Sequence, residues 1–144
     1  MTEKENETLS RRVFEEVWGK GDLSKCDELF ASDFVDHDAA NPEVPPGPEG
    51  VKRIVTMYRT AFPDIVFTID EQISSGDRVA TRWTARGTHK GELAGYKPTG
   101  KAATISGLTI ERFAGDKIAE AYTSWDSLSL MRQLGLAPGA EARV

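Results

Sequence analysis

The sequence predicts an α+β fold, in which N-terminal helices pack on one face of a strongly curved, mostly antiparallel sheet. Up to residue 62 the apolar residues recur every three or four positions, as in amphipathic helices. From residue 65 to residue 125 they recur every second position, as in strands. Helices followed by a run of strands favour this fold class. The 144 residues suit one domain, 1–144, and we expect flexible ends at about 1–6 and 137–144.

Two helices are predicted at the start of the chain. Apolar residues from Leu9 to Trp18 share one helical face, and the pattern stops at Gly19. Asp22 then caps a shorter helix, in which Cys26 lies among apolar residues at helical spacing. Because the only cysteine has no partner for an internal disulfide, it is predicted to be a small core residue.

A proline-rich loop at residues 39–48 separates these helices from a third one. Its four prolines exclude regular structure, so that it either covers the mouth of a pocket or forms a rigid connection. Pro48 suits the first position of a helix, and apolar spacing continues until Pro63 ends that helix.

Alternating apolar residues and glycine-containing turns predict antiparallel strands in the second half of the chain. Gly76-Asp77 and Gly115-Asp116 each lie between two alternating runs, as expected for hairpin turns. A last helix begins directly after the final strand. The predicted strands are 65–73, 78–89, 102–113 and 118–125, with a brief extended segment at 34–37.

Composition and charge exclude several classes of function. The net charge is −5 and the basic residues are scattered, which argues against a nucleic-acid partner. No apolar run is long enough for a membrane span and no signal segment is visible, so we expect a cytoplasmic protein without a membrane partner. His37 and His89 lie far apart and match no metal-ligand spacing, so no metal site is predicted.

Short motifs follow one another in a recognisable order along nearly the whole chain. They are Phe34-Val35-Asp36-His37, Phe62-Pro63-Asp64, Gly76-Asp77-Arg78-Val79, Gly87-Thr88-His89-Lys90-Gly91, Gly115-Asp116-Lys117-Ile118 and Gln133-Leu134-Gly135. In this order the motifs resemble the SnoaL-like polyketide cyclases and their ester cyclase relatives, which have the nuclear-transport-factor-like (cystatin-like) cone fold. The resemblance implies a conical pocket for a hydrophobic small molecule, no organic cofactor and no metal, and a homodimer through the outer face of the sheet.

Asp126, at the junction of the last strand and the last helix, is the central candidate for catalysis. If no bulge interrupts the strand, Ile118, Glu120, Tyr122 and Asp126 share one face. The resemblance implies that Asp126 is an acid/base that removes a proton from a carbon next to carbonyls, and desolvation in a pocket would strengthen it as a base. Because a helix follows directly, Asp126 is also a candidate N-cap. Both interpretations stay open.

Three further side chains are candidates for catalysis or for ligand contact. Arg112 either pairs with Glu120 across the hairpin or holds an enolate oxygen of the substrate. At this position the founding cyclase of the family carries a histidine, which puts the aldol chemistry of the family in question. His89 and His37 are candidates for proton transfer, and the structural alternatives are a strand-end hydrogen bond for His89 and a charge pair for His37.

Aromatic side chains complete the set of predicted ligand contacts. Trp83 belongs to the less charged face of its strand and should point inward, as core or as pocket wall. Trp18 and Tyr58 lie on inward helix faces and have the same two interpretations. The predicted substrate-binding residues are His37, Trp18, Tyr58, Trp83, Glu120 and Tyr122.

Three classes of function follow. The first is a cofactor-free cyclase-type enzyme that acts on a hydrophobic, carbonyl-bearing small molecule. The second is an isomerase or an epoxide hydrolase on the same fold, although the first helix offers no tyrosine for an oxyanion. The third is a non-catalytic module for ligand binding or dimerisation, because a fold does not dictate a function.

Overall fold

The computed structural model describes residues 2–136 and confirms the α+β fold. The helices are α1 (Glu3–Arg12), α2 (Cys26–Leu29), α3 (Pro48–Ala61) and α4 (Ser127–Gln133). The strands are β1 (Phe30–Asp38), β2 (Val66–Ser75), β3 (Arg78–Thr88), β4 (Ala102–Ala114) and β5 (Lys117–Trp125). The predicted C-terminal end, 137–144, lies outside the described residues.

The first helix begins earlier than the sequence analysis expected. Residues 3–6, assigned there to a flexible end, form the first turn of α1. Thr2 caps the helix by accepting a hydrogen bond from the Glu5 backbone N–H at 3.1 Å, and threonine with glutamate three residues later is a known helix-start pattern. Asn6 is buried, so this turn packs against the rest of the protein.

The five strands form one open sheet in the order β1-β5-β4-β3-β2. Only β1 runs parallel to its neighbour β5, and the other three pairs are antiparallel. The sheet is therefore mostly antiparallel, as predicted. The brief extended segment predicted at 34–37 is part of the longer strand β1, which forms an edge of the sheet.

A bulge in the β4–β5 hairpin decides which side chains face inward. Arg112 pairs with Glu120, but the next residue of β4, Phe113, pairs with Ile118, so that Ala119 is an extra residue in β5. An extra residue reverses the alternation of faces and bends the strand. The bulge therefore shifts the face of every residue that follows it in β5.

The predicted orientation of β5 is wrong for this reason. Ile118 and Ala121 are both buried, at 0% and 2% exposure, although they are three residues apart. Glu120, Tyr122 and Asp126 do not belong to the face that Ile118 occupies. The inward-facing residues after the bulge are Ala121, Thr123 and Trp125.

A close contact between β3 and β4 requires glycine at position 107. A Cβ atom at Gly107 would lie 2.3 Å from Cζ2 of Trp83, far inside the usual contact distance. The Trp83 ring thus packs against the backbone of β4 at Gly107, and its Nε1 donates a hydrogen bond to Thr109 Oγ1 at 3.0 Å. The prediction that Trp83 points inward is confirmed, since only 5% of the residue is exposed.

The main core lies between the helices and the inner face of the sheet. Cys26 is fully buried in it, as predicted. Within residues 2–136 no helix has both the length and the apolar character needed to cross a membrane.

Candidate functional site

A cavity lies between the concave face of the sheet and the helices. Side chains of all five strands, of α3 and of the π-helical turn Val13–Trp18 that extends α1 form its walls. The cavity has a volume of about 140 Å³, enough for several water molecules. The cavity therefore has room for a small organic molecule. Asn41, Val44 and Pro45 belong to its lining, so the proline-rich loop covers part of the cavity.

Aromatic rings form much of the cavity wall. The ring centroids of Trp18 and Phe67 are 5.2 Å apart, and those of Phe67 and Trp83 are 5.4 Å apart. Tyr58 meets Trp125 edge to face at 5.9 Å. The structure thus brings together three of the predicted ligand contacts, Trp18, Tyr58 and Trp83. Their role in binding a substrate stays a prediction.

Asp36 of β1 lies in the cavity wall with one hydrogen-bond donor. Thr123 Oγ1 donates to its Oδ1 at 2.8 Å, and no other hydrogen bond reaches the carboxylate among residues 2–136. Loss of water around the group raises the pKa of Asp36 to about 6, because burial disfavours the charged form. The Thr123 hydrogen bond opposes this rise, and the nearby Asp38 adds to it. Asp36 is therefore a stronger base than an ordinary aspartate.

Asp38, two residues further on, is held quite differently. Its carboxylate accepts hydrogen bonds from Trp125 Nε1 at 3.2 Å, from Asn41 Nδ2 at 2.9 Å and from the Ala40 backbone N–H at 2.9 Å. Asn41 Oδ1 in turn accepts from the Tyr58 hydroxyl at 3.2 Å, and burial raises the pKa of that hydroxyl. This carboxylate fixes the loop and the aromatic wall, and its oxygens are already occupied.

Glu111 of β4 is the most deeply buried carboxyl group of the cavity lining. Only 3% of the residue is exposed, and Ser10 Oγ donates a hydrogen bond to its Oε1. Burial raises the pKa of Glu111 to about 7, the Ser10 hydrogen bond lowers it in part, and the charge of Asp36 raises it further. At neutral pH this side chain therefore exists in both protonation states.

Strand register places the carboxyl groups of Asp36 and Glu111 on either side of an alanine. Ala121 of β5 pairs with Asp36 on one side and with Glu111 on the other. Neighbouring strands lie about 4.8 Å apart, so the two backbones are separated by roughly 10 Å. The small side chain of Ala121 leaves the space between the carboxyl groups open to a ligand.

Four of the predicted site residues lie on the opposite, outer face of the sheet. Arg112 Nε donates to Glu120 Oε1 at 3.3 Å, which confirms the predicted pair across the hairpin. Glu120 Oε2 is 2.8 Å from His37 Nε2, and the His37 ring stacks on Tyr122 at 4.6 Å. Bonding to His37 and then to Arg112 lowers the pKa of Glu120. The sheet separates this group from the cavity, so its position gives no support to a role in ligand contact.

The outer face also carries exposed apolar side chains. Val35, Leu108 and Tyr122 are 41%, 44% and 46% exposed. The homodimer that the family resemblance implies would cover this face, and it stays a prediction.

Asp126 lies outside the cavity lining and is exposed. Its Oδ1 accepts a hydrogen bond from the Ser129 backbone N–H at 2.8 Å, which is the N-cap geometry of α4. The structure thus contains the capping arrangement that the sequence left open. The bulge at Ala119 explains the difference, because it turns the even-numbered positions that follow it in β5 outward.

His89 is fully buried but does not belong to the cavity lining. Its Nδ1 accepts a hydrogen bond from the Thr99 backbone N–H at 3.2 Å, and the ring lies 5.5 Å from that of Phe62. Its backbone pairs with Gly100 and Lys101. His89 thus provides the strand-end hydrogen bond named as its structural alternative, and it fixes the loop before β4.

Sequence reasoning missed the carboxyl groups of the cavity itself. Asp36 and Asp38 share a face with buried Phe34, and Glu111 shares one with buried Phe113. The signal that could have revealed these carboxyl groups is that each lies an even number of residues from a buried phenylalanine on the same strand.

The part of the chain that the structure describes contains no group of three His, Cys, Asp or Glu side chains placed to hold a metal ion. The two carboxyl groups beside Ala121 are suited to proton transfer, because each has an oxygen that no other side chain of residues 2–136 contacts by a hydrogen bond. What this geometry offers is acid–base chemistry next to an aromatic binding surface.

Solved structures with the same fold include three close in sequence. IdmH from Streptomyces antibioticus, a proposed polyketide cyclase, is 32% identical with a TM-score of 0.78, over 90% of this chain and 98% of IdmH. A proposed polyketide cyclase from Acidithiobacillus ferrooxidans is 29% identical with a TM-score of 0.81, over 93% and 96%. AclR from Streptomyces galilaeus, a proposed hydroxylase, is 26% identical with a TM-score of 0.82, over 95% and 100%.

A search of curated protein sequences gave no significant match. The model of the SnoaL-like polyketide cyclase family, however, matches residues 8–134, which is most of the chain. The match includes every strand, the π-helical turn and the three carboxyl groups of the cavity lining. The chain therefore belongs to the SnoaL-like polyketide cyclase family.

Proposed function

We propose that this protein is a cofactor-free cyclase-type enzyme that uses Asp36 as its acid/base on a hydrophobic, carbonyl-bearing small molecule. The observation that carries the proposal is the position of Asp36, a desolvated carboxylate with one free oxygen in an aromatic cavity. IdmH and the Acidithiobacillus protein, both proposed polyketide cyclases, support the reaction class.

The proposed reaction is an aldol-type ring closure. Asp36 removes a proton from a carbon next to a carbonyl, the C–H electron pair moves towards the carbonyl oxygen, and an enolate forms. The enolate carbon then attacks a second carbonyl of the same molecule, and a C–C bond closes the ring. The resulting alkoxide takes back the proton from Asp36. No oxidation or reduction occurs, and Asp36 returns to the product the proton that it removed from the substrate.

The pKa of Asp36 suits this task. A base acts best when its pKa lies near the working pH while the group is still ionised. With a pKa of about 6, Asp36 is mostly ionised at neutral pH and yet binds a proton more tightly than an exposed aspartate. The aromatic walls exclude water from the enolate, which strengthens the interactions around it.

The geometry gives less support to the epoxide hydrolase alternative. An arginine between two aspartates that together position a water molecule would favour that reaction. Arg112 lies on the outer face with Glu120, so it does not join the cavity carboxylates.

Proton abstraction can be tested without knowledge of the natural substrate. The probe is 2-tetralone, a hydrophobic ketone with acidic C–H bonds, and the measurement is deuterium uptake from D₂O by NMR. We expect the protein to accelerate uptake over buffer, and Asp36→Asn to lose about 100-fold or more of that acceleration. The wild-type rate should rise with pH through about 6, because only the ionised carboxylate accepts the proton.

Asp126→Asn is the matched control, since asparagine keeps the N-cap of α4. We expect Asp126→Asn to exchange at the wild-type rate. If Asp36→Asn keeps the full rate, or if Asp126→Asn loses as much as Asp36→Asn, then Asp36 is not the base. A folded wild-type protein that binds 2-tetralone without exchange would favour the non-catalytic binding module.

A further inference from the structure

A buried chain of hydrogen bonds leads from the far edge of the sheet to Glu111. Ser10 of α1 and Thr81 of β3 are both fully buried, and their hydroxyl oxygens are 3.2 Å apart. Ser10 donates to Glu111 Oε1. Gln72 of β2 donates from Nε2 to Thr81 Oγ1 at 3.2 Å. Four side chains from four elements thus form one continuous series.

The outer end of the chain fixes its direction. Arg11 Nη2 donates to Gln72 Oε1 at 3.1 Å, and the Gln72 Nε2 group also donates to the Glu7 backbone oxygen at 3.4 Å. Both contacts require the amide nitrogen of Gln72 to face Thr81. Since the Thr81 oxygen accepts that bond, its own proton is available to Ser10.

The same reasoning continues to the carboxyl group. A hydroxyl group has one proton to donate. Ser10 gives that proton to Glu111 Oε1 and therefore accepts from Thr81. A proton carried by Glu111 itself must then lie on Oε2, which no hydrogen bond reaches among the described residues. Because Glu111 lines the cavity, Oε2 is the oxygen left for a ligand.

We propose that Glu111 is a second catalytic acid, whose Oε2 proton is donated to the ligand carbonyl oxygen, and that Ser10, Thr81 and Gln72 are its positioning residues. This proposal rests on the proposed function of the cavity. It adds a requirement for the substrate, which must reach across Ala121 with its acidic C–H at Asp36 and its carbonyl oxygen at Glu111. A donor aimed at the oxygen stabilises the enolate as its charge develops.

A neutral acid is plausible at this position for a physical reason. Glu111 is buried and faces a second carboxylate, Asp36, so both burial and like charge favour its protonated form. Asp38 is the other carboxyl group of the lining, and its oxygens are held by the loop and by Trp125. Val79 and Ala121, the cross-strand neighbours of Glu111, cannot titrate.

The test measures binding instead of turnover. The probe is 2-acetylnaphthalene, whose ketone oxygen only accepts hydrogen bonds, and its affinity is measured by calorimetry at about 1.5 pH units on either side of about 7. All proteins carry Asp36→Asn, so that Asp36 does not titrate, and Asp38 is present in all. We expect affinity to fall about tenfold at the higher pH, because ionised Glu111 cannot donate.

Glu111→Gln, added to Asp36→Asn, is the matched comparison. Its amide donates at both pH values, so the affinity for the ketone should be the same at both. The probe 2-ethylnaphthalene, which lacks the oxygen, should bind independently of pH in either protein. Equal pH profiles with and without Glu111→Gln would overturn the proposal.

The positioning role is tested by Ser10→Ala in the same Asp36→Asn protein. Because the Ser10 hydrogen bond lowers the pKa of Glu111, its loss should move the midpoint of the binding profile to higher pH. Thr8→Ala, an exposed change on the same helix, should leave the midpoint in place. An unmoved midpoint in Ser10→Ala would overturn the positioning role.

Infrared spectroscopy gives a second, direct readout. In the Asp36→Asn protein, the carbonyl stretch of a protonated carboxyl group should be present just below about pH 7, should vanish above it, and should be missing once Glu111→Gln is added. If Glu111→Gln removes no such band, the neutral acid does not exist. None of these readouts requires deuterium exchange, so failure of Asp36 as a base and failure of Glu111 as an acid are separate results.

Discussion

The two faces of the sheet carry glutamates whose pKa values move in opposite directions. On the concave face, burial raises the pKa of Glu111 to about 7. On the outer face, bonding to His37 and Arg112 lowers the pKa of Glu120. Among residues 2–136 no positively charged side chain pairs with Glu111, whereas Glu120 pairs with His37 and Arg112. The same residue type thus binds a proton up to about pH 7 on one face and is one member of an ion pair on the other.

Two adjacent residues of β4 belong to these two environments. Glu111 and Arg112 are neighbours in β4, and they point to opposite faces because strand side chains alternate. A strand that shifted by one residue would exchange the cavity carboxyl group for an arginine. The bulge at Ala119 keeps Ala121 beside Glu111 and so preserves the gap between the two carboxyl groups.

The largest effect expected from this comparison is a gain in the free energy of unfolding of Glu111→Gln. A rise in pKa from 4.5 to about 7 corresponds to about 3 kcal/mol. The unfolded state releases this proton at lower pH than the folded state, so the wild type loses stability as pH rises from about 4.5 to about 7. Glutamine does not titrate, and Glu111→Gln should therefore be about 3 kcal/mol more stable than the wild type above pH 7.

Urea unfolding at a series of pH values measures this difference. At pH values near or below 4.5 the two proteins should be almost equally stable, because glutamic acid and glutamine are then both neutral. Asp36 is present in both proteins, so it does not account for a difference between them. Parallel stability profiles would show that Glu111 ionises as easily in the folded protein as in the unfolded chain.

The next effect in size concerns packing on the two faces of β4. Gly107 faces inward under the ring of Trp83, and the neighbouring Ser106 is exposed on the outer face. Gly107→Ala places a Cβ atom 2.3 Å from the ring and should cost about 1 to 3 kcal/mol of unfolding free energy. Ser106→Ala should change that free energy by less than about 0.5 kcal/mol. Equal effects of the two changes in urea unfolding would contradict the tight contact.

The fold could be predicted from the sequence because its signals are local and repeated. The change from helical to alternating spacing at Pro63, the two hairpin turns and the start of α3 at Pro48 are all found in the structure. Each depends on backbone preferences of a few adjacent residues. The resemblance to the SnoaL-like family added the conical pocket, and the family is confirmed.

The site could be predicted only in part, because it depends on register. Trp18, Tyr58 and Trp83 line the cavity as expected. The predicted orientation of Glu120 and Tyr122 is wrong because nothing in the residues around Ala119 marks the bulge. A bulge is set by how two strands pair, which the spacing within one strand does not reveal.

The smallest expected effect, and the sharpest check on the comparison, is that of Glu120→Gln. Because its partners lower the pKa of Glu120, the carboxylate adds stability above its ordinary pKa, and this stability is lost as pH falls. The free energy of unfolding of the wild type should therefore increase relative to that of Glu120→Gln as pH rises. Relative to Glu111→Gln it should decrease as pH rises. Thermal unfolding should show a small difference that high salt removes, since exposed ion pairs are weak and screened. A salt-independent difference, or one with the sign found for Glu111→Gln, would mean that desolvation governs both faces and that the contrast between them is false.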